Sequence, residues 1–156
     1  ARAYVADLMR KALEAETGRD HSGAADAELG DSLIYNMFPN FAVWGGFIPS
    51  LVYRWLPDGK AHDSAIMEIR ILRQSPKSGP RPPSAKLRFL GENEPWSSAA
   101  ELGGLGPVVE QDWGNLPYVQ EGLEASGTNR VHLGRYSEMR IRQQHLTLDA
   151  YMNDQI

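Results

Sequence analysis

The residue type that stands out from its surroundings is Asp112, a carboxylate inside an apolar helical pattern. At about 100° per residue, Leu116 lies about 40° and Leu123 about 20° from Asp112 around a helix, so the three share one face. A carboxylate on a buried face is costly unless it is paired, hydrogen-bonded or bound to a metal ion. A structural interpretation stays open, because the helix dipole favours acids in a first turn and Pro107 suits such a turn.

Other catalytic patterns are missing from the 156 residues. Zero cysteines exclude a disulfide scaffold, a thiolate nucleophile, a cysteine-based zinc site and any iron–sulfur cluster held by this chain. Neither a glycine-rich phosphate loop nor a Gly-x-Ser-x-Gly elbow occurs. The four histidines are widely spread, with no pair at i, i+4. We expect His21 and His62 to be exposed, and His145 to be a hydrogen-bonded core residue.

The composition is typical of one globular domain or a large part of one. Hydrophobic residues make up 42%, charged residues 23%, and the net charge is -4. This balance gives no bulk attraction for nucleic acid or anionic lipid, and no run approaches the ~20 apolar residues of a membrane span. We therefore expect neither nucleic acid nor membrane as a partner. The start is unlike a signal peptide, and we expect a cytoplasmic protein.

A helix followed by an antiparallel sheet is predicted for the first half of the chain. Apolar residues at helical spacing predict a helix over 3–15, and the polar, Gly/Ala-rich stretch 18–31 predicts a loop. Apolar and β-branched runs bounded by turn residues then predict a meander of at least three strands. Strands are expected over 32–38, 41–47, 48–56, 62–73 and 86–90.

The second half is predicted to be mainly helical. Residues 74–86 contain four prolines and should form an exposed loop. Helices are expected over 107–125 and over 137–153, with Ser137 as the N-cap of the second. Pro117 removes a backbone bond and should kink the first helix. The expected inner stripe of the last helix consists of Ile141, His145, Leu148 and Met152.

The stretch 110–123 (EQDWGNLPYVQEGL) resembles the C-terminal helix of the α subunit of Rieske non-heme iron oxygenases, the aromatic-ring-hydroxylating dioxygenases. That family's pattern is an acidic or amide residue, the metal aspartate, seven residues, and then Gln-x-Gly-Leu. Residues 137–152 are similar to its closing helix. Three further parts of this chain resemble the family's catalytic sheet. They are Phe38-Pro39-Asn40, Trp44-Gly45-Gly46, and the strands around 51–54 and 65–68. The resemblance covers nearly the whole chain from residue 33 on.

The resemblance implies an α+β helix-grip fold of the START/Bet v1-like type, in which a curved antiparallel sheet accompanies a long kinked C-terminal helix. It implies that residues 1–156 are the C-terminal portion of a ring-hydroxylating oxygenase catalytic domain. The Rieske domain with its [2Fe-2S] cluster, and the family's His-x4-His pair, are absent from this chain. We therefore expect an incomplete domain, with those parts in sequence that precedes Ala1.

In the family, two histidines and one carboxylate hold a mononuclear non-heme Fe(II) and leave positions open for dioxygen. By resemblance, Asp112 is the carboxylate ligand and Gln120 hydrogen-bonds near it. The resemblance assigns no further catalytic side chain. It also implies that the substrate pocket is lined by Phe38, Asn40, Phe41 and Trp44, with packing against a covering helix as the alternative role of each.

The implied activity is hydroxylation of an aromatic or other apolar substrate with dioxygen. Electrons would come from NAD(P)H through a reductase or ferredoxin and the Rieske cluster, in a homotrimer or an α3β3 assembly. This chain alone should be inactive. One alternative is a metal-free helix-grip domain that binds a hydrophobic small molecule. Another is a structural role, such as that of a small β subunit, which the block from Asp112 to Gln120 argues against.

Overall fold

The computed structural model describes residues 1–47, 50–128 and 130–155. They form two compact units, an N-terminal unit (Ala1–Pro83) and a C-terminal unit (Ser84–Ile156). An open four-stranded antiparallel sheet lies in the first, and a long bent helix lies in the second. The predicted α+β class is confirmed, and these elements fit the helix-grip description. None of the helices in the described ranges combines the length and apolar composition needed to cross a bilayer.

The N-terminal unit begins with α1 (Arg2–Thr17), which confirms the first predicted helix. It ends where Gly18 adopts a left-handed conformation (φ 65°) and its N–H donates to the Glu14 carbonyl at 2.8 Å. The stretch 18–31 was predicted to be a loop but contains a short helix, α2 (Asp26–Gly30). One turn of helix is too short to produce a recognisable periodic pattern, so the sequence did not reveal it.

The predicted meander is confirmed and has four strands. They are β1 (Leu33–Met37), β2 (Phe41–Gly45), β3 (Leu51–Pro57) and β4 (Ala65–Ile71), paired in the order β1-β2-β3-β4. Within the predicted strand 48–56, Ile48 and Pro49 lie outside the described residues. The strand predicted at 86–90 is wrong, because those residues form no regular element.

The strand register divides the sheet into two faces, since residues directly opposite one another share a face and neighbours along a strand alternate. Phe41 pairs with Arg54, Arg54 with Glu68, and Val52 with Arg70. We call the side that carries these residues the arginine face. The opposite side, the tryptophan face, carries Ala42, Trp44, Leu51, Tyr53 and Ile69.

The N-terminal unit buries apolar surface around α1, α2 and β3, whereas all five residues of β1 are exposed. Leu29 of α2 is fully buried and packs with α1 residues, and the sheet residue Leu51 is 2% exposed. Helix α2 meets the end of β2 closely, because the Phe47 N–H donates to the Glu28 carbonyl at 2.9 Å. Gly46 (φ 88°) permits this approach, since a Cβ there would lie 2.6 Å from the Glu28 oxygen.

The C-terminal unit is helical. Two short 3-10 helices, Trp96–Ser98 and Ala100–Leu105, precede α3 (Gly106–Trp113), α4 (Leu116–Glu124) and α5 (Met139–Met152). The predicted helix 107–125 thus exists as α3 and α4, and the break at Gly114 and Asn115 comes just before Pro117, as predicted. The 3-10 helices were not predicted from the sequence.

Among the described residues of the C-terminal unit, burial is limited to a small cluster around α3. Ala99, Leu102 and Val109 are at most 8% exposed, whereas α4 and α5 contain no buried residue. The expected burial of the α5 stripe is therefore wrong: Ile141 is 46% exposed, and His145 is exposed as well. The expected Ser137 cap is also wrong, because the residue before α5 is Glu138 and no side chain caps the helix.

Candidate functional site

Asp112 lies in the last turn of α3 and is exposed. The sequence offered two interpretations of Asp112, a place on a buried helix face and a place in a first helical turn, and the structure contradicts both. Leu116 and Leu123, which share its predicted face, are 51% and 42% exposed, so this face is not buried in the chain. The first-turn explanation is wrong because α3 begins at Gly106 and no acid lies in its first turn. A negative charge in the last turn is instead disfavoured by the helix dipole.

The Asp112 carboxylate has no hydrogen bond or ion pair with another described residue. Gln120, which resemblance places near it, lies exposed on α4. Its amide Nε2 donates to Glu124 Oε1 at 2.8 Å, which joins two successive turns of the same helix. Asp112 and Gln120 therefore share the bent helix but are not joined by a hydrogen bond in the described residues.

A complete metal-binding cluster is not present in the described part of the chain. No three His, Cys, Asp or Glu side chains come close enough together there to hold a metal ion. A single exposed carboxylate supplies one ligand, whereas an iron site of two histidines and a carboxylate needs three. The described residues therefore do not by themselves fit iron.

Three of the four residues expected to line a pocket lie at the start of β2 and Trp44 lies near its end, and the four do not share a wall. Phe38 and Asn40 are in the turn between β1 and β2, where the Asn40 amide donates to the Trp55 carbonyl at 2.6 Å. Phe41 lies on the arginine face and Trp44 on the tryptophan face. A single pocket on one side of the sheet can contact only one of these two rings.

Trp44 has an unusual polar environment. Its ring packs edge-on against Tyr53 with centroids 6.3 Å apart. The indole Nε1 is buried, and no acceptor lies within hydrogen-bonding distance of it among the described residues. A buried donor without an acceptor costs roughly 1–3 kcal/mol, so an acceptor supplied by another molecule or chain segment would be stabilising.

The arginine face holds a charged cluster that the sequence reasoning missed. A cavity of about 220 Å³ is lined by Phe41, Val52, Arg54, Glu68, Arg70 and Leu72. Burial raises the pKa of Glu68, but hydrogen bonds and positive charge from the two arginines outweigh this effect and leave the pKa below its ordinary value. The signal in the sequence was the period-two spacing of Glu68 and Arg70 in β4, which puts both on one face.

A second cavity, of about 380 Å³, lies beside the C-terminal end of α1. Its lining residues are Arg19, Asp20, His21, Phe47, Gln74 and Lys77. The expectation that His21 is exposed is wrong, since it is 4% exposed. Its Nε2 lies 2.8 Å from Gln74 Oε1 and its Nδ1 lies 3.0 Å from the Arg19 carbonyl. His21 therefore ties the loop after α1 to the segment after β4.

One comparison with known proteins gives a match, and it agrees with the predicted family. The family model described as "ring hydroxylating alpha subunit (catalytic domain)" matches residues 6–154, a span that contains all four strands and the bent helix. Neither the search of curated proteins nor the search of solved structures gives a match. The matched family is of the oxygenase type, and its members are iron-dependent ring hydroxylases. Because the match covers nearly the whole chain, this protein belongs to the ring-hydroxylating α-subunit family through its catalytic domain.

Proposed function

We propose that this chain is the C-terminal portion of the catalytic domain of a Rieske-type oxygenase that hydroxylates an aromatic or other apolar substrate with dioxygen. The observation that carries the proposal is the family match over residues 6–154, which includes the block from Asp112 to Gln120. In the complete cytoplasmic enzyme a mononuclear iron supplies the oxygen chemistry, and a reductase or ferredoxin supplies electrons through a Rieske cluster outside residues 1–156.

Asp112 is proposed as the carboxylate ligand of that iron. Its exposed carboxylate has no partner among the described residues and lies in a last helical turn, where negative charge is disfavoured. A bound cation would remove this disadvantage. The two histidine ligands would come from sequence outside residues 1–156, since the chain holds no His-x4-His pair. Gln120 is proposed to hydrogen-bond near Asp112 once the metal site is complete.

The proposed substrate contacts are Phe38, Asn40, Phe41 and Trp44. Trp44 is proposed on the resemblance, and its buried indole N–H lacks an acceptor among the described residues. Phe41 is supported by its place in the wall of the arginine-face cavity. Because these two rings lie on opposite faces, the complete pocket would use one of them directly, while the other packs against a covering element.

An assembly of several subunits, a homotrimer or an α3β3 hexamer, is proposed as the working form. It is supported by the apolar side chains of α4 that stay exposed in this chain, among them Val119 at 51% and Leu123 at 42%. Exposed apolar surface of this kind marks sites where another polypeptide packs. We propose that other parts of the complete enzyme cover these apolar side chains.

The test is iron content and turnover of the complete protein that contains residues 1–156. Replacing Asp112 with alanine should remove most bound iron and abolish turnover while the far-UV circular dichroism stays unchanged, because an exposed residue contributes little to folding. Glu121→Ala is the matched control: it removes an exposed acid from α4 and should leave iron content unchanged. Undiminished iron in the Asp112→Ala protein would exclude Asp112 as a ligand. A complete protein without iron that binds apolar molecules would instead support the metal-free alternative.

A further inference from the structure

The arginine face carries more positive than negative charge at one spot. Two arginines, Arg54 and Arg70, meet a single carboxylate, Glu68, in the wall of the 220 Å³ cavity. Glu68 is the least exposed of the three, with a side chain 15% exposed, while those of Arg54 and Arg70 are 43% and 59% exposed. Glu68 therefore holds the two guanidinium groups in place, and both groups remain accessible from the cavity.

The hydrogen bonds show which donors remain available. Arg54 Nε donates to Glu68 Oε2 at 2.8 Å, and Arg54 Nη2 forms an ion pair with the same oxygen at 2.6 Å. Arg70 Nε donates to the other oxygen, Oε1, at 2.5 Å, and Arg70 Nη2 forms an ion pair with it. Both carboxylate oxygens are thus engaged, and no bond from either Nη1 is recorded within the described residues. A second carboxylate could accept from these Nη1 groups without displacing Glu68.

The same cavity offers an apolar surface beside the charge. In the register, Phe41 lies directly opposite Arg54, and Val52 lies directly opposite Arg70. Leu72 completes the wall and is 52% exposed. Apolar walls with a few convergent polar groups are the usual form of a small-molecule site, because the walls bind the body of the ligand and the polar groups orient it.

We propose that the arginine-face cavity binds a small organic acid. Its carboxylate accepts hydrogen bonds from Arg54 and Arg70, and its apolar body rests on Phe41, Val52 and Leu72. The added negative charge balances the surplus positive charge at Glu68. At about 220 Å³ the cavity is smaller than the usual small-molecule pocket of about 300–1,000 Å³, so the ligand must be small. Phe41 is shared with the proposed substrate contacts, but binding here needs neither iron nor dioxygen, so a titration without iron tests this site separately from the oxygenase activity.

The test is calorimetric titration of the full chain with benzoate and with benzamide, which has the same ring and no charge. Benzoate should bind saturably, and benzamide at least about tenfold more weakly, because a charge-assisted hydrogen bond is worth more than a neutral one. Arg70→Gln should weaken benzoate binding at least about tenfold. Arg73→Gln is the matched control, since Arg73 is 78% exposed and pairs with Glu16 outside the cavity, and it should leave the affinity unchanged.

Circular dichroism of each variant checks the fold. Should Arg70→Gln fail to fold, Leu72→Glu replaces it, because an added carboxylate at this exposed position should repel benzoate and weaken its binding more than that of benzamide, which loses only an apolar contact. Equal affinity for benzoate and benzamide, equal losses in the Arg70 and Arg73 variants, or no benzoate binding at millimolar concentration would each overturn the proposal.

Discussion

The two units of this chain both carry apolar patterns, and apart from β1, whose residues are all exposed, the first unit covers its apolar residues to a greater degree. In the N-terminal unit, Leu29 and Leu51 are 0% and 2% exposed. In the C-terminal unit, Leu116 and Leu148 occupy comparable stripe positions and are 51% and 43% exposed. Periodicity therefore indicates where a helix or strand forms, whereas burial depends on whether another element is there to pack against it.

The difference has a physical cause in the contacts available to each unit. Strands β2 and β3 have neighbours on both edges, and α1 packs against α2. Among the described residues, α4 and α5 bury no side chain, so they rest mainly on their own backbone hydrogen bonds. Short helices without tertiary packing are marginal in water. We therefore expect the N-terminal unit to carry most of the stability of this chain.

The largest expected effect contrasts a buried leucine with an exposed one. Leu29→Ala leaves a cavity in a closed core and should lower the free energy of unfolding by about 2–5 kcal/mol. The control, Leu116→Ala, truncates a side chain that is already about half exposed. It should change the free energy of unfolding by less than about 0.5 kcal/mol. Urea unfolding followed by circular dichroism measures both. Similar losses in the two variants would show that the C-terminal unit is packed as firmly as the N-terminal one.

Replacing one glycine in each unit with alanine should change the free energy of unfolding by an intermediate amount, with opposite signs in the two units. Gly46→Ala should destabilise by about 1–3 kcal/mol, because φ is 88° and the new Cβ would lie 2.6 Å from the Glu28 oxygen. Gly122→Ala in α4 meets no atom within 4 Å and should stabilise by about 0.5–1 kcal/mol through helix propensity. Thermal melts of the two variants and the parent chain make the comparison. Destabilisation by Gly122→Ala would mean that α4 has a close neighbour.

The smallest effect is a pH dependence that differs between the units. Glu68 has a pKa below its ordinary value of 4.5 because its two arginines outweigh the effect of burial, so its contribution is present above that pH and is lost as the pH falls through the folded pKa. The contribution should be about 1 kcal/mol or less, because both arginines are more than a third exposed. Urea unfolding between pH 7 and about pH 3 should show the loss, and Glu68→Gln should reduce it.

Glu94 of the C-terminal unit provides the matched comparison. Hydrogen bonds from Arg88 and Ser98 hold its pKa below the ordinary value as well, so its contribution has the same sign and is lost in the same direction. Because Glu94 is more exposed than Glu68, added salt should screen its interaction more strongly. An equal salt sensitivity of Glu68→Gln and Glu94→Gln would contradict the difference in burial.

Much of the fold was predictable from local patterns. The helix over 3–15, the antiparallel meander and the interruption before Pro117 each depend on residues close together in sequence, and all three are confirmed. Two predictions of secondary structure failed, one for a local reason and one for lack of a partner strand. Helix α2 is a single turn without a period, and the wrongly predicted strand at 86–90 is apolar in pattern but has no strand to pair with.

The candidate site was predictable only in part. Asp112 was identified by its position in a family pattern, which depends on spacing along one helix. The arginine-face cluster was missed because Arg54 and Glu68 lie 14 residues apart and meet only through the register of β3 with β4. His21 was misjudged for the same reason, since its partner Gln74 is 53 residues away.

By itself, the sequence determined the elements, the turn residues between them and the family pattern that contains Asp112. These depend on backbone preferences and on spacing within one element. The tertiary structure alone decided that Phe41 and Trp44 lie on opposite faces, that His21 is buried, and that the Asp112 face is uncovered in this chain. Burial and side-chain contacts depend on segments that are distant in sequence and pack together in the fold. Local periodicity does not indicate which segment packs against which.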